Sequence, residues 1–442
     1  MNFRTLPALL ALSIVATLGG CAIDDGPSDP TNASSAETVR VPQDAATIQQ
    51  AVDEVAEGGL VLISPGTYTE EVTVSTKNIT VRGLDRDGVV IDGEGLRANG
   101  IQVIADGVRV QNLTVTRHTF NGVLVTGMHD ENGPQAHNLT GYQKLDPKKF
   151  PPLQRFEVDH VTATNNGLYG IYAFNSQNGV LSNNYASGSA DSGFYVGQCQ
   201  ECSILVSGNV AERNAIGYEN ANASDSVVIT GNRFSGNRVG LTLLSWYQEA
   251  FVPQRGATVV GNVISDNNSA DSPAQAQGGF GIGVGLSGAQ SDTLERNVIS
   301  GNSISGVQLS NTEDIATTGT RLTDNALSGN GVDVADVAAT RSPTTTTCIT
   351  PDSGLSLLPA DLATSCSAGA STGVPVSALP QVQAPAGVSF LKVGQPVAQP
   401  NLDGDLTAVP EALPKTGPAG SFDSSSVALP AADLLLGSTG TR

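Results

Sequence analysis

The chain has 442 residues, a formal charge of −20 and 5% aromatic residues. That acidity excludes nucleic acid and anionic membrane surfaces as natural partners, and a polyanionic glycan would need a cation or a local basic patch to approach. The length fits one large domain or two to three ordinary ones.

The chain opens with Arg4 and the apolar run LPALLALSIVATL, too short to span a bilayer and read as a signal peptide over residues 1–20. It ends in Leu18-Gly19-Gly20-Cys21, which resembles the bacterial lipobox, so Cys21 is the expected lipidation site. The protein is therefore expected to be exported and to touch the membrane only through a lipid anchor. By the family's sorting rule, Ala22 after the cysteine implies the outer membrane in a Gram-negative cell. Residues 21–40 are polar and Pro/Ser-rich, a tether. Removing Cys21 from the five cysteines leaves four, an even number in an oxidising compartment. Cys348 and Cys366 are expected to pair. Cys199 and Cys202 form a CxxC, read first as a short-loop disulfide, with redox or zinc roles weaker because neither a following helix N-terminus nor a second ligand pair is found.

After the tether, DAATIQQAVDEVAEGG predicts a helix capped by Asp44, with Ile48, Ala51, Val52 and Val55 on one face and Gly58-Gly59 ending it. From there short β-rich units repeat. Gly100, Gly122, Gly170, Gly193, Gly217 and Gly240 each open such a unit, at steps of 22, 48, 23, 24 and 23 residues, and the series continues at Gly281 and Gly306. A second ladder keeps an internal spacing of five: Asn209/Asn214, Asn232/Asn237, Asn262/Asn267, Asn297/Asn302 and Asn325/Asn330. Two ladders in step predict an all-β solenoid over residues 41–341, with coils paired in parallel and asparagines stacked at turns where they tolerate left-handed backbone. The crossover rule makes it right-handed, and the helix caps its open N-terminal end. Residues 342–370 form the cysteine-stapled end. Residues 371–442 form a Pro/Ala/Ser-rich tail expected to be irregular; its LPKTG lacks the apolar span and basic end of a sortase signal.

The stretch DAATIQQAVDEVAEGGLVLISPGTYTEEVTV with NITVRG resembles the opening of the pectin-lyase-like right-handed parallel β-helices, and the GN-V-x-x-x-N units resemble their repeats. YGIYAFNSQNGVLSNN with SADSGFYVGQ is similar to a bacterial subgroup related to alginate epimerases and to periplasmic β-helix proteins of copper-enzyme maturation. The resemblance covers roughly residues 41–335 and specifies fold far more than function. Family polygalacturonase, pectin-methylesterase and alginate-epimerase motifs are absent, although Asp159-His160 keeps a fragment of the last.

Strand alternation places Ile171, Ala173, Phe194, Val196, Leu241 and Leu243 inward. The outward column then reads Gln102, Leu124, Tyr172, Tyr195, Glu219, Thr242, Gly283, Gln308. Tyr172 and Tyr195 form an outward aromatic pair on which a pyranose ring could stack, with Phe174 beside them. Stacked tyrosines also stabilise a sheet with no ligand at all. Two insertions, GMHDENGPQAHNLTGYQKLDPKKFPPLQRF and SWYQEAFVPQRG, are expected to flank this column as groove walls, the second bringing Trp246. Glu219 with Asp191 is the nominated acid–base pair, Tyr195 and His160 are further catalytic candidates, and Tyr172, Phe174, Gln198 and Trp246 are substrate-binding candidates. A monomer engaging a polysaccharide is the leading expectation, as a binder or as a lyase, epimerase or hydrolase. It needs no cofactor, with calcium entering only if the polymer is a uronate. A non-catalytic envelope β-helix is the alternative. A metal-handling one is the third reading, because all four histidines fall between His118 and His160, although without ligand spacing; no metal site is nominated.

Overall fold

The computed structural model describes residues 36–441, apart from 132, 136, 139, 140, 143, 276, 277, 352, 363–368 and 372. Cys21, the segment read as a signal peptide, most of the segment read as a tether and Cys366 lie outside the described residues. Residues 35–442 form one compact unit.

Each full coil between the two ends contributes a strand to each of three faces. The first runs from Ala36–Val41 through Ile204–Ser207 to Cys348–Thr350, and the second from Gly66–Tyr68 to Ala326–Ser328. The long strands Val108–Thr116 and Leu153–Thr164 run through the corner and join these two sheets. The third sheet stacks eleven strands, from Val72–Val74 to Leu357–Leu358. Coil-to-coil pairing is parallel throughout, so the molecule is a parallel β-helix, all-β as the repeats imply. The strand Ala36–Val41 already pairs with Val55–Ile63, so the first coil begins inside the segment read as tether.

The cap helix is shorter than its sequence pattern, spanning Ile48–Glu54 with Thr47 as N-cap, its side chain accepting from the Gln50 amide. Asp44 instead accepts from the Arg40 amide at 2.9 Å. The Glu70 carboxylate takes the free amides of Ile48 and Gln49, at 3.0 and 3.1 Å. Ile48, Ala51 and Val52 cover the end of the core, and Val55 turns straight into a strand.

Both asparagine ladders form. From Asn184 through Asn209, Asn232, Asn262 and Asn297 to Asn325, each backbone amide and each side-chain amide donates to the carboxamide oxygen of the next coil's asparagine, at 2.9–3.0 Å. The left-handed residue is not the asparagine, as expected, but the one before it: Gly208, Gly231, Gly261 and Gly301 all have φ between 64° and 69°. This explains the recurring Gly-Asn pair, because glycine adopts that turn without strain. The glycine ladder has another cause. A Cβ on Gly217 would stand 2.5 Å from the Gly240 carbonyl oxygen, so the coils close only over bare backbone. In that ladder Gly283, not Gly281, stands between Gly240 and Gly306.

Among its described residues the tail forms short 3-10 turns and one isolated bridge, Pro396 with Thr441, but it is laid against the solenoid. Seven arginines of the coils donate to its main-chain carbonyls: Arg82 to Leu406 and Ala408, Arg86 to Pro400, Arg109 to Glu411, Arg213 to Gly440, Arg233 to Ala432 and Leu434, Arg238 to Pro385, and Arg296 to Ser424 and Val427. The tail thus runs back to the coil of Arg82, forward to that of Arg296, and back again. Composition missed this because the contacts use backbone, not side chains. Arg233→Ala removes two charge-assisted bonds, each worth about 1.5–3 kcal/mol. Amides around 432–434 are expected to exchange at least about tenfold faster in hydrogen-exchange mass spectrometry. Unchanged exchange there would mean that the tail is held elsewhere.

Candidate functional site

The register of the third sheet makes the expected column real, with one slip. Gln102, Leu124, Tyr172, Tyr195, Glu219 and Thr242 stand in successive coils, followed by Gly285 and Gln308; Gly283 lies two residues off. The inward set Ile171, Ala173, Phe194, Val196, Leu241 and Leu243 is fully buried in the main core.

The outward side differs from expectation. Tyr172 and Tyr195 are each 1% exposed and Phe174 0%, because the two insertions fold over the column and roof it rather than flank it. Met128, Leu145 and Phe150 from the first insertion and Ala250 from the second pack with Leu124, Tyr172, Phe174, Tyr195 and Ala221 into a second apolar cluster. Lys144 Nζ donates to the Tyr247 carbonyl at 3.2 Å and ties the insertions together. Apolar side chains on a solenoid's outer face bury most area by recruiting long loops, so the aromatic column becomes a floor.

At the edge of that floor three carboxyls converge. Ser192 Oγ lies 2.6 Å from Glu219 Oε2 and 3.2 Å from Asp191 Oδ1, joining the two acids, while Gln275 donates to Asp191 at 2.8 Å. The Tyr195 hydroxyl donates to both oxygens of Glu249, at 3.0 and 3.2 Å. Tyr169 closes the group, its ring 4.5 Å from Tyr172 and 4.8 Å from Tyr195. Among the described residues Asp191 and Glu219 form no ion pair with a cation. Burial, and then the charge of Asp191, hold the Glu219 carboxyl well above the usual range; burial raises Asp191 as well. Burial and then the Glu249 charge push the Tyr195 hydroxyl far up, so it keeps its proton. The cluster therefore holds one protonated acid, Glu219, beside Asp191, raised to about 6, and the hydrogen-bonded Glu249 carboxylate, the elements of general acid–base chemistry.

The other candidates lie elsewhere. His160 sits at the corner of the first and second sheets, its Nδ1 2.9 Å from Asp159 Oδ2, and lines a separate cavity of about 140 Å³ with Arg86 and Gln399. Adjacency in sequence to the Tyr172 strand does not bring it to the third sheet. Gln198 is fully buried and accepts from the Ala250 amide at 3.1 Å, so it pins the roof instead of facing a ligand. Trp246 is 38% exposed and outside the aromatic cluster; its backbone is clasped by the Asn222 side chain. Cys199 and Cys202 are joined as a disulfide at the end of the Tyr195 strand. Cys348 is disulfide-bonded, while Cys366 lies outside the described residues. His118 is buried at the second corner, pushed down to about 4 by burial, and does not meet His160. Among the described residues no group of three His, Cys, Asp or Glu could hold a metal. Sequence reasoning missed Tyr169, Ser192, Glu249 and Gln275. Tyr169 and Ser192 lie in the quoted repeat units and Glu249 in an insertion, but nothing in the sequence singles them out, and Gln275 lies in neither.

Asp292 is a further buried acid, pushed up to about 7 by burial, with Gln254 Nε2 and the Ala257 amide on one oxygen only. A raised folded pKa means stability that is complete below about 4 and lost as pH rises through the folded value. Asp191 and Glu219 act in the same direction, whereas Asp92 and Asp159, held low by hydrogen bonds to Arg117 and His160, lose their contributions only in stronger acid. Buried, neutral His118 acts in the opposite sense, but the three raised acids outweigh it, so thermal midpoints are expected to be higher at pH 5 than at pH 8, each acid lowering stability by up to about 1.4 kcal/mol per pH unit between its unfolded and folded pKa. A flat profile would mean that these acids are hydrated.

The fold defines a parallel β-helix carrying a roofed acid–tyrosine centre. Residues 66–252 and 249–353 match the family described as the right handed beta helix region, and the chain belongs to that family. None of the curated proteins matches the sequence. Among solved structures, the A-module of the Azotobacter vinelandii mannuronan C-5 epimerase AlgE4 aligns at 16% identity and TM-score 0.41, over 71% of this chain and 97% of that one. ORF18 of Geobacillus virus E2 aligns at 13% identity and TM-score 0.47, over 71% and 61%. The alginate lyase of Paenibacillus sp. str. FPU-7 aligns at 14% identity and TM-score 0.34, over 67% and 99%.

Proposed function

We propose that this chain is an exported, lipid-anchored envelope protein that binds a polysaccharide and modifies it at the Asp191–Glu219–Tyr195–Glu249 centre. One observation carries the reading: buried Glu219 and half-buried Asp191 stand side by side, bridged by one serine hydroxyl and, among the described residues, with no cation paired to either. Such an arrangement works against folding, and strongly perturbed buried acids concentrate where acid–base chemistry is done. In this reading Glu219 is the proton donor, Tyr195 passes a proton to or from Glu249, and the floor of Tyr172 and Phe174 receives a sugar ring once the roof lifts. Calcium enters only if the polymer is a uronate.

The second reading is a non-catalytic scaffold, favoured by the 0–1% exposure of the aromatic floor, which a fixed roof would keep from any ligand. Incubating residues 22–442 with neutral and uronic-acid polysaccharides, with and without calcium, separates the two. New reducing ends, unsaturated sugars or altered uronate stereochemistry establish an enzyme and its class. Retention on a glycan without turnover makes it a binding module, and silence in both assays leaves the scaffold.

A further inference from the structure

Where the two insertions meet beside the aromatic floor, the roof is not continuous. A cavity of about 290 Å³ opens at their seam, walled by Pro147 and Pro152 from the first insertion and Phe251 from the second. Phe251 also packs against the cluster of Tyr172, Phe174 and Tyr195, so the cavity adjoins that floor. The Cys199–Cys202 disulfide fixes the turn beneath it, and Gln177, Gln200 and Glu201 edge its opening.

Asn175 lines the same cavity and is completely buried. Its side-chain nitrogen donates to the carbonyls of Phe150 and Pro151, at 3.2 and 3.4 Å. Its Oδ1 has no hydrogen-bond donor among the described residues. A buried acceptor left unsatisfied costs about 1–3 kcal/mol, and native folds retain few of them. A ligand hydroxyl reaching the end of the cavity would supply the missing donor. The remaining lining has the character of a sugar site, with proline and phenylalanine faces for ring C–H groups and amides for hydroxyls.

We infer that this seam is a saccharide-binding subsite for a neutral pyranose of the polymer, held between Phe251 and the two prolines with a hydroxyl donated to Asn175 Oδ1. The inference rests on the polysaccharide reading and gives it a place of entry at the seam between the two insertions. Neutrality follows from the lining: a uronate carboxylate would face the Glu201 carboxylate and a lone carbonyl acceptor, and would bring no proton to either.

The test uses residues 22–442 and saturation-transfer NMR with neutral oligosaccharides and oligouronates as probes. Gln200→Ala and Phe251→Ala alter the edge and one wall; Gln200 is exposed and Phe251 only partly buried, so both variants should fold, which circular dichroism checks. The expected result is binding of a neutral oligosaccharide, weakened at least about tenfold by Phe251→Ala and severalfold by Gln200→Ala. Neutral binding untouched by both variants, or a preference for oligouronates, overturns the subsite and leaves the polysaccharide reading standing. No binding of either probe class to the unmodified protein overturns both.

Discussion

Asn232→Ala is expected to lower stability by about 3–5 kcal/mol, a large effect for a single truncation of a small side chain. Asn232 Oδ1 accepts from the backbone and side-chain amides of Asn209, both at 2.9 Å. Its own amide donates to Val206 O, Thr230 O and Asn262 Oδ1 at 2.9, 3.1 and 2.9 Å. Alanine leaves donors of Asn209 and the carbonyl of Val206 dry and unpaired, at about 1–3 kcal/mol for each group. Asn232→Asp keeps the acceptors but loses the donors and buries a carboxyl, so it should be nearly as harmful at neutral pH. Urea denaturation gives the total, and hydrogen exchange should show opening centred on the coils of Asn209 and Asn262, since each coil touches only its neighbours. A loss under about 1 kcal/mol would mean that strand pairing alone holds the coils.

The same ladder shows why the fold was legible in the sequence and where legibility stopped. Gly217 and Asn232 each answer a local demand that recurs every coil, a close backbone approach or a turn, so their spacing exposes the period. The register failed at one place, FGIGVGLS, where Gly281, Gly283 and Gly285 alternate and offer three equivalent alignments. Pairing of Leu241 with Val284 settles it. At the site, Tyr172, Tyr195 and Glu219 were readable because a column in a sheet follows from the period alone. Their burial was not. It depends on where two aperiodic insertions land, and nothing in SWYQEAFVPQRG says that Glu249 turns to the Tyr195 hydroxyl 54 residues away. His160 failed for the converse reason, since closeness in sequence does not survive the turn from one sheet to another.

Glu219→Gln is expected to reduce turnover of the polysaccharide by about 10²–10⁴-fold, the usual contribution of a positioned general acid. The amide keeps the size of the side chain and an oxygen for the Ser192 hydroxyl, but has no proton to deliver to a leaving group. Substrate contacts on the aromatic floor are untouched, so KM should change little while kcat falls. The effect on stability should have the opposite sign. Burial and the neighbouring Asp191 charge oppose ionisation of Glu219, so the native protein is least favoured at high pH, where the unfolded carboxyl is free to ionise. Removing the titration should raise the thermal midpoint at pH 8 and flatten its decline from pH 5. A residue that lowers stability while serving the reaction gives this pair of results, because function retains what folding alone would discard. A purely structural Glu219, held to satisfy Ser192, predicts the reverse: a lower midpoint in the glutamine variant and turnover within a few-fold of the unmodified protein. Asp191→Asn supplies the internal control. It relieves the same repulsion and should raise the midpoint at pH 8, and by removing the adjacent charge it should lower the pH at which Glu219 gives up its proton. The alkaline limb of the rate profile would then move to lower pH with Glu219 still in place, a shift that loss of packing alone would not produce.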